Sequence, residues 1–238
     1  MDKPHPPVGE RRSIRSFVKR TGRITRSQER ALSELWPRYG IEFSQRLLDL
    51  DEIFGRSAPR VLEIGFGNGD SLVALAAGEP ARDFVGVEVH EPGVGHCLIK
   101  IDETDIGNLR LISHDALDVL KLQIADKSLQ RINLYFPDPW PKKRHHKRRI
   151  VQPDFLELAA SRLGDDGTLQ IATDWANYAE HIDATLAASP WFELDERREH
   201  DGGDPLERPP TKFEARGLKL GHRIWDWRYR KRLSGPRT

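Results

Sequence analysis

At 238 residues the chain can bury a substantial core, and this length suits one α/β domain with short extensions better than two domains. Charged residues make up 32% of the chain, but the formal net charge is only +1, so no overall positive field indicates a nucleic-acid partner. The single cysteine excludes a disulfide framework and a cysteine-based metal site, and we expect no bound metal. The sequence shows no signal peptide and no apolar stretch long enough to span a membrane. We therefore predict a cytoplasmic protein with no membrane partner.

Basic residues gather in three segments, at residues 11–30, 142–149 and 223–232. Each segment alone is typical of a solvated surface, whereas three in one small chain favour a polyanionic partner. Residues 1–23 are also rich in proline and show little periodicity. We therefore predict a flexible basic arm there, which either orders on RNA or only aids solubility. The remaining residues, 24–238, form the predicted single domain.

The first predicted elements are two helices. Thr25 and Gln28 have the spacing of a capping box, and an apolar stripe then runs to a stop before Pro37. A second, shorter helix is predicted over residues 44–50. Short apolar strands and helices then alternate. The strands are predicted at 61–64, 84–89, 109–112, 131–136 and 169–173, and the helices at 71–77, after Pro92, at 155–163 and at 176–188.

This alternation predicts a doubly wound, Rossmann-like α/β fold, in which a mostly parallel sheet carries helices on both faces. Two later apolar segments, at 192–194 and 222–227, predict an antiparallel pair at one edge of the sheet. Between them, the Gly- and Pro-rich residues 199–210 predict a mobile loop that leads into residues 211–217.

The first strand runs into a glycine-rich turn, E-I-G-F-G-N-G-D at residues 63–70. Its Gly65 and Gly67 let the backbone approach a ligand at a helix N-terminus, although a purely structural turn can look the same. A dinucleotide-binding turn would carry a third glycine where this chain has Asp70. Asp70 and Glu63 would repel a pyrophosphate but suit the cationic groups of S-adenosyl-L-methionine (AdoMet), so local charge favours AdoMet over NAD.

Two further acids follow the next two strands. Glu88 ends the second strand, where it can accept hydrogen bonds from both ribose hydroxyls of an adenosyl group, whether in AdoMet or in NAD. Asp115 follows the third strand. It can accept a hydrogen bond from the adenine amino group, or it can serve only as a helix N-cap.

The fourth strand leads into the most specific segment, N-L-Y-F-P-D-P-W-P-K-K at residues 133–143. Its three prolines make a rigid turn that fixes Asp138 between two of them. In an open α/β sheet, ligands bind at the carboxyl ends of the strands where the strand order reverses, so Asp138 should face a methyl donor held by the glycine-rich turn. The alternative is a proline-rich turn in which Asp138 only caps the backbone.

These motifs together resemble the tRNA (guanine-N7)-methyltransferase family. The resemblance rests on E-I-G-F-G-N-G, on Y-F-P-D-P-W-P-K-K-R-H-H-K-R-R, on T-K-F-E at residues 211–214 with Arg216 and Gly217, and on R-S-F-V-K-R-T-G-R-I-T near the N-terminus. It covers nearly the whole chain, from about Arg15 to Arg232. The adjacent His145 and His146 depart from the family's pattern and reduce the charge expected of the basic run at neutral pH.

The resemblance implies a class I methyltransferase that uses AdoMet to methylate the guanosine at position 46 of tRNA, with Asp138 as the catalytic carboxylate. Together with the glycines of the turn, the cofactor-binding residues are then Glu63, Gly65, Gly67, Glu88, Asp115 and Asp138. The implied substrate-binding residues are Lys142, Asp174, Thr211, Lys212, Phe213 and Glu214. The implied RNA contacts are Arg144, His145, His146, Lys147, Arg148 and Arg149.

The chemistry of guanine fits these assignments. Guanine N7 has a lone pair and no proton, so no general base is needed, and Asp138 can stabilise the positive charge that the ring gains. Asp174 and Glu214 can accept hydrogen bonds from N1 and the exocyclic amino group of guanine, unless both only cap helices.

Three other functions stay open at this stage. They are a methyltransferase acting on another RNA base or on a protein, a NAD-dependent oxidoreductase, and a nonenzymatic RNA-binding module with the same fold. Asp70 and the lack of an evident Tyr-Lys proton relay argue against the oxidoreductase. The intact glycine-rich turn and Asp138 argue for catalysis over simple RNA binding.

Overall fold

The computed structural model of the chain describes Ser16 and residues 22–233. Most of the basic arm predicted at residues 1–23 lies outside the described residues. The predicted capping box is confirmed: Thr25 caps α1 (Arg26–Glu34), and the side chains of Thr25 and Gln28 each bind the other's backbone N–H. A short helix, α2 (Trp36–Tyr39), follows directly.

The helix predicted over residues 44–50 is wrong. A helix, α3 (Leu50–Phe54), starts only where that prediction ended, because Asp49 is its N-cap and accepts a hydrogen bond from the Glu52 N–H at 3.0 Å. The residues before it are held in a non-helical connection, in which the Leu48 N–H donates to the carbonyl of Gln123 at 2.8 Å. The capping hydrogen bond of Asp49 therefore fixes where the helix starts, and the apolar pattern of residues 44–50 does not.

Seven strands form one sheet in the order β3-β2-β1-β4-β5-β7-β6. The strands are β1 (Arg60–Ile64), β2 (Asp83–Val87), β3 (Leu109–Ile112), β4 (Leu129–Tyr135), β5 (Leu163–Thr173), β6 (Phe192–His200) and β7 (Ile224–Lys231). The first five are parallel, and β7 runs antiparallel between β5 and β6. This sheet confirms the predicted doubly wound α/β fold with an antiparallel edge.

Helices cover both faces of the sheet. They are α4 (Asp70–Gly78), α5 (Glu91–Thr104), α6 (Ala116–Leu122), α7 (Pro153–Arg162), α8 (Ala176–Ala187) and α9 (Lys212–Lys219). One apolar cluster packs α1, α4 and α5 against the sheet, with Leu72 and Leu98 at its centre. The other packs α6, α7 and α8 against the opposite face, around Leu120, Phe155 and Ile182. Among the described helices, none combines the length and the apolar character that a membrane span needs.

The sequence underestimates the edge strands. β6 spans nine residues where only three were predicted, because seven of its nine residues are polar and give no apolar pattern. Ion pairs between β6 and β7 stabilise this edge in place of buried apolar side chains. In one of them, Arg228 Nη2 lies 3.0 Å from Glu196 Oε2. The strand order reverses between β1 and β4, and their carboxyl ends therefore open a crevice at the top of the sheet.

Candidate functional site

A cavity of about 470 Å³ opens at this crevice, a volume typical of small-molecule sites. The glycine-rich turn after β1 and the proline-rich turn after β4 both line it, as do the ends of β2 and β3 and the N-terminus of α9. Of the residues implied as cofactor or catalytic groups, the cavity is lined by Glu63, Gly65, Gly67, Glu88, Asp115 and Asp138. All six therefore lie around one cavity.

The glycine-rich turn is held open by glycine conformations and by one carboxylate. Gly65, Gly67 and Gly69 have φ angles of 72°, 59° and 78°, a region that other residues seldom adopt. Glu88 braces the turn: one oxygen accepts from the Gly67 N–H at 2.9 Å, and the other accepts from the Val89 N–H at 2.6 Å. The carboxylate thus joins the turn to the end of β2 while lining the cavity.

Glu63 is a buried acid at the bottom of the cavity. Only 3% of the residue is exposed, and burial raises the pKa of its carboxyl to about 7, although the neighbouring Asn133 amide opposes this shift. Its Oε2 is buried and has no hydrogen-bond partner among the residues that the structure describes. A cationic group from a ligand would supply that missing partner and restore the charge.

Asp70 begins α4 at the cavity rim and binds two lysines. Its Oδ2 lies 2.7 Å from the ammonium of Lys212 on α9, and Lys100 of α5 contacts its other oxygen. Burial acts to raise the pKa of Asp70, but the hydrogen bonds from both lysines outweigh it and hold the pKa below its ordinary value.

Asp115 caps a helix at the edge of the cavity, and its contact with adenine stays a prediction. Its Oδ1 accepts a hydrogen bond from the Leu117 N–H at 2.9 Å, so it caps α6, and it also lines the cavity. The adjacent His114 stacks on Phe43, with ring centroids 3.5 Å apart. A flat aromatic surface therefore stands beside Asp115 at the β3 end of the cavity.

Asp138 sits on a strained turn. The preceding Phe136 and the following Trp140 have φ angles of 51° and 46°, in the left-handed region that bulky residues avoid. The Phe136 N–H donates to the Ala172 carbonyl at 2.8 Å, which anchors the start of the turn to β5. The turn presents the exposed Asp138 to the cavity.

The T-K-F-E segment forms the first turn of α9. Thr211 caps the helix in a capping box with Glu214, and Thr211, Lys212 and Phe213 line the cavity. Glu214 points elsewhere: it is buried, and its Oε2 lies 2.6 Å from the guanidinium of Arg208. Three of the four residues therefore reach the cavity, and the fourth holds them in place.

Asp174 does not line the cavity, and it does not cap α8 either. Its Oδ2 lies 3.1 Å from His222 Nδ1. Its side chain packs so closely on Gly217 of α9 that an added Cβ there would come within 2.7 Å of Oδ2. Asp174 thus packs against α9 outside the cavity.

The basic run at residues 143–148 folds as a short 3₁₀ helix beside the proline-rich turn. Its Lys143, Arg144 and Lys147 are exposed, as is Lys142 before it. Desolvation and the nearby Arg144 and Arg148 lower the pKa of His145. That histidine therefore adds little positive charge at neutral pH.

Arg149 differs from the rest of the run. It is only 2% exposed, and it donates to the Pro139 carbonyl at 3.0 Å and to Asn177 Oδ1 at 2.8 Å. Its guanidinium also lies over the ring of Tyr178, 4.8 Å from the centroid. Arg149 therefore ties the proline-rich turn to α8, and its enclosed guanidinium is not presented to RNA.

Two parts of the site were missed from the sequence. Ser16 lines the cavity, and its carbonyl accepts a hydrogen bond from Trp140 Nε1 at 3.0 Å. Arg208 lies in the segment that was predicted as a mobile loop, yet it is buried between charged and aromatic side chains. No local pattern marks Arg208, and Ser16 lies in the N-terminal segment of the family resemblance, which was not given a role in the site. Among the residues that the structure describes, no group of three or more potential ligands could hold a metal ion.

Comparison with known proteins identifies the family. A family model described as "Putative methyltransferase" matches residues 57–227. The tRNA (guanine-N(7)-)-methyltransferase of Halorhodospira halophila is 50% identical over 226 residues, covering 94% of this chain and 98% of that protein. The same enzyme of Alkalilimnicola ehrlichii is 53% identical over 226 residues, covering 93% of this chain and 94% of that protein.

Solved structures show the same fold at low identity. An antibiotic-related methyltransferase superposes with a TM-score of 0.55 at 17% identity, covering 80% of this chain and 94% of that chain. A 16S rRNA (adenine(1408)-N(1))-methyltransferase from Catenulisporales acidiphilia has a TM-score of 0.55 at 16% identity, with the same coverage. The fold and the extent of sequence identity together place this chain in the tRNA (guanine-N(7)-)-methyltransferase family.

Proposed function

We propose that the chain transfers a methyl group from AdoMet to N7 of the guanosine at position 46 of tRNA, with Asp138 as the catalytic carboxylate. One observation carries this proposal: the glycine-rich turn and the proline-locked Asp138 line the same cavity. The relatives named above are tRNA (guanine-N(7)-)-methyltransferases over nearly their full length. Position 46 follows from the motif resemblance.

The cavity suits AdoMet by charge. Glu63 offers a buried oxygen without a partner to a cationic group, and Glu88 and Asp115 offer acceptors at the ends of the next two strands. When bound, AdoMet supplies an electrophilic methyl group on a sulfonium sulfur. Three acids around one cavity favour such a cation and disfavour a pyrophosphate.

Asp138 acts by charge and not as a base. The acceptor N7 carries a lone pair and no proton, so the residue has no proton to remove before attack. Methylation makes the guanine ring cationic, and a carboxylate fixed beside that ring stabilises the charge as it develops. The rigid turn reduces the reorganisation needed at that moment, because the prolines already hold Asp138 in place.

Residues at the cavity rim and on the basic run beside it are proposed to contact the tRNA. Thr211, Lys212 and Phe213 at the mouth contact the guanosine, and the exposed cations from Lys142 to Lys147 contact phosphates. We keep guanine recognition by Asp174 as part of the proposal, because 27% of its side chain is exposed. Glu214 contributes by holding α9 and not by touching the base.

The test is a single-turnover assay with labelled AdoMet and unmodified tRNA. Borohydride–aniline cleavage reports N7 methylation, because only a cationic guanine opens under this treatment. Asp138→Asn keeps the size of the side chain and removes its charge, so we expect the methylation rate to fall about 100-fold or more.

The matched control is Asp166→Asn, an exposed aspartate of β5 that lies outside the cavity. We expect this variant to methylate tRNA at the wild-type rate. A near-normal rate for Asp138→Asn would refute the catalytic role. Methylation at another guanosine or another atom would refute the proposed position.

A further inference from the structure

Arg208 is a fully buried cation between two carboxylates. It lies in the segment between β6 and α9, and its guanidinium forks onto Asp226 of β7, with Nε 2.6 Å from Oδ1 and Nη2 3.0 Å from Oδ2. Its Nη1 donates to Glu214 Oε2 at 2.6 Å. His200 completes the cluster, with Nε2 3.0 Å from Asp226 Oδ2.

The flat face of the same guanidinium covers the aromatic end of β4. Its carbon lies 5.5 Å from the ring centroid of Tyr135 and 5.3 Å from that of Phe136. Phe136 is also stacked by Phe213 of α9, with centroids 6.4 Å apart. Arg208 therefore contacts the two elements that meet over the cavity, the proline-rich turn and α9.

This position matters because Phe136 is strained. Its φ of 51° is unfavourable for a phenylalanine, and such a conformation persists only where the surroundings hold it. Two residues later the chain reaches Asp138. A small rotation at Phe136 would therefore shift the catalytic carboxylate relative to the cavity, while the bulk of the fold stayed in place.

We propose that Arg208 is a positioning residue for methyl transfer, which sets Asp138 through Phe136 and sets Thr211 to Phe213 through Glu214. This inference rests on the proposed function, since it assumes that Asp138 acts on the substrate. Arginine suits the task because its planar group offers in-plane donors to two carboxylates and a face to two rings at once. Lysine has one point charge and cannot make both sets of contacts.

The test compares Arg208→Lys with a matched variant at the other end of the sheet. Arg60 is also a buried arginine between two carboxylates, with Nη1 2.5 Å from Asp83 and Nη2 2.6 Å from Asp51, and it lies over the Phe54 ring. It is the first residue of β1, at the end of the strand away from the cavity. Arg60→Lys therefore reproduces the loss of packing without touching the site.

We expect Arg208→Lys to lower kcat about 10- to 100-fold, because a displacement of about 1 Å at a catalytic group has this effect. The dissociation constant of AdoMet should change far less, and the stoichiometry measured by calorimetry should stay at one AdoMet per chain. Arg60→Lys should lower the melting temperature but leave kcat per AdoMet-binding chain unchanged. If Arg208→Lys does not fold, Asp226→Asn tests the same contacts and should show the same selective loss of kcat.

Three outcomes would overturn the inference. One is wild-type kcat in Arg208→Lys, and another is an equal loss of kcat per binding chain in Arg208→Lys and Arg60→Lys. The third is a loss in Arg208→Lys that is explained entirely by fewer AdoMet-binding chains. A wild-type chain that transfers no methyl group to tRNA would instead contradict the proposed function itself, together with the role that depends on it.

Discussion

Lys212 and Asp70 join the two helices that face each other across the mouth of the cavity. The Lys212 ammonium lies 2.7 Å from Asp70 Oδ2, so the first turn of α9 is tied to the first turn of α4. Phe213 lies directly over the glycine-rich turn, because a Cβ added to Gly67 would be 3.5 Å from its ring. The first turn of α9 therefore covers part of the space assigned to AdoMet.

We predict that Lys212→Met speeds the release of AdoMet. The lysine side chain is 64% exposed, and an exposed ion pair contributes at most about 1 kcal/mol, which corresponds to about a fivefold change in rate. Stopped-flow displacement of bound AdoMet measures the dissociation rate directly. The melting temperature should fall by no more than about 4 °C, because the same ion pair contributes at most about 1 kcal/mol to the stability of the fold.

The control for this variant is Lys219→Met, at the other end of the same helix. It removes one charge from α9 far from Asp70 and should leave the dissociation rate unchanged. Equal rates in all three proteins would mean that the ion pair does not hold α9 over the cofactor.

The raised pKa of Glu63, about 7, makes AdoMet binding depend on pH. Near neutrality the ligand-free chain is a mixture of neutral and charged Glu63, and a cationic ligand favours the charged form. Affinity should therefore rise about tenfold between pH 6 and pH 8, with release of a proton. Titration calorimetry in buffers of different ionisation enthalpy measures both effects, and Glu63→Gln should bind more weakly with a flat pH profile.

The same raised pKa predicts that the stability of the ligand-free chain falls as the pH rises, whereas the affinity for AdoMet increases. Between about pH 4.5 and pH 7 the folded chain keeps a proton on Glu63 that the unfolded chain has lost. The free energy of unfolding therefore falls as the pH rises through this window, by about 3 kcal/mol in total. Glu63→Gln should be more stable than wild type at pH 8 and should lose that advantage below pH 4.5. Urea unfolding at both pH values decides this.

Gly93 of α5 lies against the glycine-rich turn, so a substitution at Gly93 can displace the turn without changing any of the turn's own residues. A Cβ at Gly93 would lie 2.2 Å from the carbonyl oxygen of Gly67, and a backbone atom cannot swing away as a side chain can. Gly93→Ala should therefore shift the turn and weaken AdoMet binding about tenfold or more, although alanine normally favours a helix over glycine by about 1 kcal/mol.

Gly78→Ala is the matched control for that change. Gly78 ends α4, and an added Cβ there meets no atom of the described part of the chain within 4 Å. This variant should keep the wild-type affinity for AdoMet and should be as stable as wild type or slightly more stable. Tight AdoMet binding by Gly93→Ala would show that the turn tolerates displacement.

The sequence predicted the parts of the site that depend on short-range rules. The turn at residues 65–69 and the turn around Asp138 each carry their own glycines or prolines, and the switch in strand order brings them to one cavity. The capping box at Thr25 is also a local pattern. These features needed no knowledge of distant contacts.

Long-range contacts explain what the sequence could not predict. Arg208 is buried by pairing with Asp226, which is 18 residues away, and its segment shows only the glycines and prolines of a loop. Asp174 and Glu214 both look like base-recognising acids in the sequence, and only the fold shows that Asp174 packs on Gly217 of α9 and that Glu214 is buried against Arg208. Arg149 looks like its basic neighbours, and only the fold shows that it is enclosed.

The basic run should determine how tRNA binding depends on salt. Each phosphate contact by a lysine or arginine releases counterions and adds about 0.7 to 0.9 to the slope of log affinity against log salt. Replacing the exposed Lys143, Arg144 and Lys147 together by alanine should therefore reduce the slope by about 2.1 to 2.7. His145 has a lowered pKa and should contribute no charge to this slope at pH 7.5.

Arg149→Lys separates a charge effect from a structural one within the same run. Lysine keeps the positive charge but loses the hydrogen bonds to Pro139 and Asn177, so the chain should melt at a lower temperature while the salt slope stays at the wild-type value. Filter binding of tRNA between about 50 and 200 mM salt, where affinity falls steeply, measures the slope of log affinity against log salt for each protein. A triple variant with an unchanged slope would remove the run from the RNA-binding surface, because three exposed cations that contact phosphates cannot be lost without a loss of salt dependence.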